Sequence, residues 1–412
     1  MKKRTLFLLF ILIVGTVAGI FIWRENRTVT RTPQHEKVAT EMIQRGEYLS
    51  HIADCTACHT AEEGAYMAGG FALDTPFGIL YGSNITPSLD HGIGRWTSEE
   101  FYGALTEGIS PPSKHLYPAM PYTSYHKMPK ADSDAIFAYL LSLEPVDVAV
   151  KRSELPFPLN QSALIIGWNM LFFDKAELPR SSEGSSPEWE RGKYLANVLG
   201  HCGMCHSPIG EFGQIDTKHF MEGGNLGRIV GPDVTPKALA ERGWTRDGLK
   251  DFFLTGISEH GSAFDEMYKV VNLSTKHLTP EDTEAMVTYL MGDQPIAPKA
   301  ISIGEGNAKG RNHYQTFCAA CHMADGTGKP HIAIPMINNS TLRNEDSQNL
   351  IVSILDGIPR QTFVNNESMQ EMPSFAGKMS DEEMADLVNY LRETWGGLKP
   401  TVTATEVQNL RK

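Results

Sequence analysis

The chain has 412 residues, with 37 Lys+Arg against 49 Asp+Glu and a formal net charge of −12. An acidic surface of that size excludes a nucleic-acid partner held through its phosphates, and the length is that of about three domains. Glycine and proline number 37 and 24, which predicts short helices joined by long loops.

The first predicted element is N-terminal. Lys2, Lys3 and Arg4 precede an uncharged, mostly apolar run from Leu6 to Trp23, and Arg24 and Arg27 follow it. As a helix the run would span about 27 Å, close to the ~30 Å hydrocarbon core of a bilayer. Residues 1–35 are therefore expected to be a signal or membrane anchor, with a retained anchor preferred over a cleaved signal. The basic cluster stays cytoplasmic and the rest of the chain is exported.

A repeated pattern follows. Arg45-Gly46-Glu47-Tyr48-Leu49 leads to Cys55-Thr56-Ala57-Cys58-His59, and Arg191-Gly192-Lys193-Tyr194-Leu195 leads to Cys202-Gly203-Met204-Cys205-His206. Lys309-Gly310 leads to Cys318-Ala319-Ala320-Cys321-His322. Each reads as a helix carrying a Cys-x-x-Cys-His pentad at its end. Asn84-Ile85-Thr86-Pro87 and Gly94-Arg95-Trp96-Thr97 match Asp233-Val234-Thr235-Pro236 and Arg242-Gly243-Trp244-Thr245. Helices are predicted from Ser98 and Arg246, ending at the glycine steps Gly108 and Gly256, with Gly357 closing the counterpart in the third repeat. Final helices end in Tyr139-Leu140, Tyr289-Leu290 and Tyr390-Leu391.

The pentads are the attachment signature of c-type haem. The thiols Cys55 and Cys58, Cys202 and Cys205, and Cys318 and Cys321 form thioethers to haem vinyl groups. His59, His206 and His322 then bind iron from one face. Structural zinc needs four ligands per site, and each pentad offers three. All six cysteines are used, so three covalently attached haem c groups are expected. Bacterial attachment of this kind takes place outside the cytoplasmic membrane, in keeping with export.

The expected architecture is all-α: three tandem cytochrome c domains after an N-terminal hydrophobic helix. The boundaries are 36–150, 186–297 and 298–400, with a connector at 151–185 and a frayed tail at 401–412. The connector holds the apolar stretch Leu164 to Phe173, too short to span a bilayer.

The second axial ligand decides the chemistry, since a thioether closes the iron and raises its potential. Met120 lies in the Pro-flanked segment Tyr117-Pro118-Ala119-Met120-Pro121-Tyr122 and follows His59 by 61 residues. Met267, in the matching loop, follows His206 by the same 61, and Met372 follows His322 by 50. These three are the candidate ligands; Met369 and Met379 rival Met372, and His115 and His260 are the bis-histidine alternatives. Arg95 and Arg360 are candidates to pair with haem propionates. No catalytic residues are expected.

These features resemble the tri-haem cytochrome c subunit of membrane-bound bacterial periplasmic dehydrogenases acting on alcohols, aldehydes, gluconate, sorbitol or fructose. Thr75-Pro76-Phe77-Gly78, Gly92-Ile93-Gly94-Arg95-Trp96, the Met120 segment, Gly200-His201 before the second pentad and Met372-Pro373-Ser374-Phe375 carry the resemblance across about residues 40 to 397. Met323 departs from it, standing where glycine is common. The resemblance implies a catalytic partner subunit, either a quinoprotein, a flavoprotein or a molybdoprotein. Electrons would pass to membrane ubiquinone or a terminal oxidase, with the haem domains on the periplasmic side of the inner membrane. A free-standing membrane-anchored electron shuttle is the alternative. A haem enzyme such as a peroxidase is a third reading, requiring one iron without a sixth ligand.

Overall fold

The computed structural model describes residues 39–411 together with Leu12 and Thr16. In the first repeat α1 (Thr40–Ile52) ends one turn before α2 (Cys55–His59), with Asp54 at φ 51° turning the chain between them. A long loop then leads to α3 (Ser98–Glu107) and α4 (Lys130–Ser142), and α5 (Leu164–Phe172) lies in the connector. The second repeat holds α6 (Pro187–Lys193), prolonged by a π-helical turn over Tyr194–Leu199, then α7 (Gly203–His206) and α8 (Arg246–Thr255). It closes with α9 (Glu266–Leu273) and α10 (Pro280–Met291). The third holds α11 (Ala308–Phe317), α12 (Ala319–His322), α13 (Gln348–Asp356) and α14 (Asp381–Leu391), followed by α15 (Ala404–Leu410).

The first and last helices of each repeat pack on one another, and one glycine makes each crossing possible. A Cβ on Gly46 would stand 1.8 Å from the Ala135 carbonyl oxygen, one on Gly192 1.9 Å from that of Ala285, and one on Gly310 2.1 Å from that of Asp386. The Tyr of the closing Tyr-Leu pair sits at the same crossing: the Cβ atoms of Tyr139, Tyr289 and Tyr390 lie within 2.4–2.8 Å of those positions. This explains why glycine and tyrosine recur together in the sequence. In the first two repeats an arginine beside the glycine clamps the helices, Arg45 to Asp132 and Arg191 to both carboxylate oxygens of Asp282 at 2.6 and 2.7 Å. In the third, the Asn307 amide donates to the Asp386 carbonyl at 3.0 Å. The α3 N-terminus is a capping box of Thr97 and Glu100 and its C-terminus is Gly108 at φ 65°, a left-handed conformation that suits glycine.

The all-α class and the three-domain division are corrected. The fold is not all-α: among the described residues there are five two-stranded antiparallel hairpins. The longest pairs β1 (Ala72–Thr75) with β2 (Gly78–Tyr81), Ala72 opposite Tyr81. β3 (Ile109–Ser110) pairs with β4 (Lys114–His115), β5 (Gly224–Asn225) with β6 (Val230–Gly231), β7 (Ile257–Ser258) with β8 (Gly261–Ser262), and β9 (Gln361–Thr362) with β10 (Ser368–Met369). The long loops pair their own backbone groups instead of leaving them unsatisfied. The expected N-terminal hydrophobic helix falls on residues 1–35, outside the described residues apart from Leu12 and Thr16. Among the described residues no helix is long and apolar enough to cross a membrane.

Nor does the chain divide into three tandem domains. It forms two compact units, Met1–Leu178 and Pro179–Lys412, and the second holds two of the three repeats. The reason is the polar and aromatic seam within that unit. Trp244 Nε1 donates to Ser340 Oγ at 2.9 Å, and the Ser340 amide donates to the His260 carbonyl at 2.9 Å. Asn349 bonds both backbone groups of Val230 at 2.8 and 2.9 Å, and buried Arg343 donates to the carbonyls of Glu241 and Lys299. Opening this seam would leave buried polar groups unpaired.

In the first unit the connector packs on the first repeat: Tyr122 Oη donates to Asn169 at 2.7 Å and Phe173 meets Tyr122 edge-on. The tail expected to fray is instead the helix α15. It is capped by Thr403 and Glu406, anchored by fully buried Val407, and tied by Arg411 to Asp381 at 2.7 Å.

Candidate functional site

Each pentad forms a short helix, so its thiols and imidazole are carried on one rigid turn. Gly82 and Gly231 let a following strand come against the turn: a Cβ on Gly82 would stand 1.7 Å from the Cys58 carbonyl oxygen, and one on Gly231 2.1 Å from that of Cys205. The three histidines then meet the same partner. Nδ1 of His59 donates to the Ser83 carbonyl at 2.7 Å, that of His206 to Pro232 at 2.7 Å, and that of His322 to Ile334 at 2.9 Å. A carbonyl can only accept, so Nδ1 carries the proton and Nε2 keeps its lone pair. Burial lowers the pKa of all three imidazoles, which keeps them neutral. A neutral, oriented imidazole with a free Nε2 is the form that binds a metal.

None of the six cysteines is in a disulfide; the first of each pair is half-buried and the second exposed. Burial pushes Cys55, Cys202 and Cys318 up to about 12, so they are thiols at neutral pH. Among the described residues no group of three His, Cys, Asp or Glu side chains converges to hold a metal ion. Thiols free for thioether bonds beside a separately held imidazole fit a porphyrin whose iron is bound by the histidine alone on that side.

The expected methionine ligands lie in different settings. Met120 is half-buried in a turn between α3 and α4, its amide donating to the Tyr117 carbonyl at 2.9 Å. Met267 was expected in a loop but sits in the first turn of α9, half-buried against Ala263, Val271 and Phe363. The segment after Asp265 forms an amphipathic helix because Met267 and Val271 share a face at i, i+4 spacing. Met372 is held by a backbone bridge to Ile358, 2.9 Å in both directions, and packs on the third repeat's core. Of its rivals, Met379 is a buried core residue, whereas Met369 is paired in β10. Of the histidine alternatives, His260 is buried on Trp244 with Nδ1 on the Asn338 carbonyl at 3.3 Å, while His115 lies in β4. Arg95 donates to the Leu89 carbonyl and pairs with Asp90.

The sequence reading missed the residues behind the histidines, namely the carbonyl segments at 83–84, 232–233 and 334–335 and the buried Arg242. The matched Asn84-Ile85-Thr86-Pro87 and Asp233-Val234-Thr235-Pro236 motifs were the available signal, since each begins one residue after the carbonyl that receives the imidazole proton.

Comparison with known proteins agrees with this geometry. The family model of cytochrome c matches residues 307–395; it covers the third repeat alone, a further finding against three tandem cytochrome c domains. The chain is 34% identical over 403 residues to the cytochrome c subunit of a quinone alcohol dehydrogenase of Gluconobacter oxydans, covering 92% of this chain and 84% of that protein. It is 32% identical to the fructose dehydrogenase cytochrome subunit of Gluconobacter japonicus, covering 90% of this chain and 82% of that protein. It is 35% identical to a nicotinate dehydrogenase subunit of Pseudomonas putida over 94% of this chain, which spans only 33% of that longer protein. Pentad cysteines outside any disulfide, oriented imidazoles and near full-length similarity lead to one conclusion: the chain belongs to the family of cytochrome c subunits of bacterial dehydrogenases.

Proposed function

We propose that this chain carries three haem c groups and relays electrons from a dehydrogenase catalytic subunit to membrane ubiquinone or a terminal oxidase, on the periplasmic side of the bacterial inner membrane. The observation that carries the reading is the threefold recurrence of one arrangement: two cysteines outside any disulfide, then an imidazole whose Nδ1 is held by a backbone carbonyl. Haem c supplies each site with a one-electron couple. The chain's own residues do the rest. Cys55 and Cys58, Cys202 and Cys205, and Cys318 and Cys321 would hold the ring, and His59, His206 and His322 would bind the iron, with Met120, Met267 and Met372 as its second ligands. The relatives' names support a dehydrogenase partner for alcohols, sugars or a related donor.

The test is purification of the full chain from its own cells in mild detergent, followed by intact mass and haem quantitation. Three haem masses per chain and a co-purifying catalytic subunit are expected. One or two haems would defeat the three-haem reading. A chain that purifies alone with three haems would replace the subunit with a free-standing carrier.

A further inference from the structure

Behind the proximal histidines the three repeats differ in the charge of the group that braces the accepting segment. In the first repeat the residue after Ser83 is buried Asn84. Its amide is neutral, accepting from Thr86 Oγ1 at 2.7 Å and donating to the Val146 carbonyl at 2.8 Å. In the third, the carbonyl of Pro335, next to Ile334, accepts from the neutral Asn339 amide at 3.1 Å. In the second, the carbonyl of Asp233, next to Pro232, accepts from the guanidinium of Arg242.

Arg242 is 6% exposed. Its other hydrogen bond is Nε to the Ala238 carbonyl at 3.3 Å, and among the described residues it enters no ion pair. The Asp233 side chain, half-buried, accepts instead from the Thr235 amide at 2.8 Å. The second site thus has a buried cation one peptide unit from the carbonyl that receives the His206 proton, partly offset by a better-solvated carboxylate.

We infer that Arg242 sets the second haem site as the one of highest reduction potential in the chain. A fixed positive charge in a low-dielectric surround favours the reduced, less positive state of a nearby redox centre. The same guanidinium draws electron density along the Pro232–Asp233 segment. That makes the Pro232 carbonyl a poorer acceptor and lessens the electron donation of His206 to its iron. Both effects raise the potential, and neither has a counterpart at the neutral Asn84 and Asn339. Burial brings the Arg242 pKa down to about 10, which leaves it charged at neutral pH. The second site would then act as the electron sink among the three. Arg242 is a positioning and electrostatic residue, not a ligand, and the inference rests on the three-haem reading above.

The experiment is a spectroelectrochemical titration of the holoprotein, with haem counted by mass in every variant. Arg242→Gln is expected to lower the highest of the three potentials by about a tenfold change in its oxidised-to-reduced ratio, about 59 mV for one electron; a fall confined to either lower component overturns the ranking. Asp233→Asn should raise the same component, and Arg242→Lys should retain most of the wild-type value. A merely structural role would move both variants in the same direction, or broaden all components together. Three haems with no component moving oppositely in Arg242→Gln and Asp233→Asn overturn the role of Arg242 alone. Fewer than three haems in the wild-type chain overturn the three-haem reading instead. If Arg242→Gln does not fold, an unmoved titration in Asp233→Asn still defeats the inference.

Discussion

At the scale of single residues, chemistry is divided between groups that attach, groups that ligate and groups that orient. Removing one from either of the first two kinds gives a different signature. Cys58→Ala leaves a single thiol in the first pentad and is expected to weaken attachment there alone. Denaturing acid extraction should then release up to one haem of three, where wild type releases none. Met120→Ala is expected to open one iron, so that carbon monoxide binds to one haem per chain and one potential falls. Unchanged carbon monoxide spectra would remove Met120 from the ligand set. The pentads and their histidines were fully legible in the sequence because attachment chemistry demands fixed spacing. The carbonyls of Ser83, Pro232 and Ile334 were not, because any residue supplies a carbonyl and the backbone path alone decides which one meets the ring.

At the scale of elements, the crossing of first on last helix is the unit on which each site is built. Its tolerance is small, because a Cβ on Gly192 would meet backbone at 1.9 Å and not a flexible side-chain end. Gly192→Ala is expected to destabilise the second unit by about 3 kcal/mol, the upper range for overpacking a core, seen as a lowered Tm. A melting curve indistinguishable from wild type would show that α6 and α10 can slide apart at no cost. Ser380 caps α14, accepting from the Glu383 amide at 3.2 Å while Glu383 reaches back at 2.8 Å. Ser380→Ala should cost about 1 kcal/mol. Helix starts at Ser98 and Arg246 were readable from caps and glycine stops. The hairpins were not, since strands of two to four residues leave too short an alternation to register against loop composition.

At the scale of the whole molecule, the second and third repeats form one unit through a buried seam, and that seam holds a buried titratable group. His260 is 4% exposed. Its Nδ1 faces the Asn338 carbonyl, and its Nε2 accepts from the Thr245 amide at 3.4 Å. The carboxylate of Glu259 lies at 3.2 Å and the Arg343 cation is nearby. Burial, opposed by the carbonyl and by Glu259, lowers its pKa. The folded chain therefore binds this proton less readily than the unfolded chain. The stabilisation is fully present above the unfolded value of 6.5 and is lost as pH falls below it toward the lower folded value. Denaturant unfolding of the second unit should show stability declining below pH 6.5, with the decline reduced in His260→Gln. A variant with the wild-type pH slope would place the sensitivity elsewhere.

The sequence by itself determined the Cys-x-x-Cys-His pentads, their threefold recurrence and the helices that carry them, because pentad spacing, caps and glycine stops are local and leave a local trace. The tertiary structure alone decided that two of the repeats share one unit, that the loops pair as hairpins, and that Met267 belongs to a helix. It also decided that the tail docks through Val407. Those outcomes depend on which distant groups meet: Trp244 on Ser340, Arg343 on Glu241 and Asn349 on Val230. A buried arginine and an exposed one are the same letter until the fold removes one of them from water.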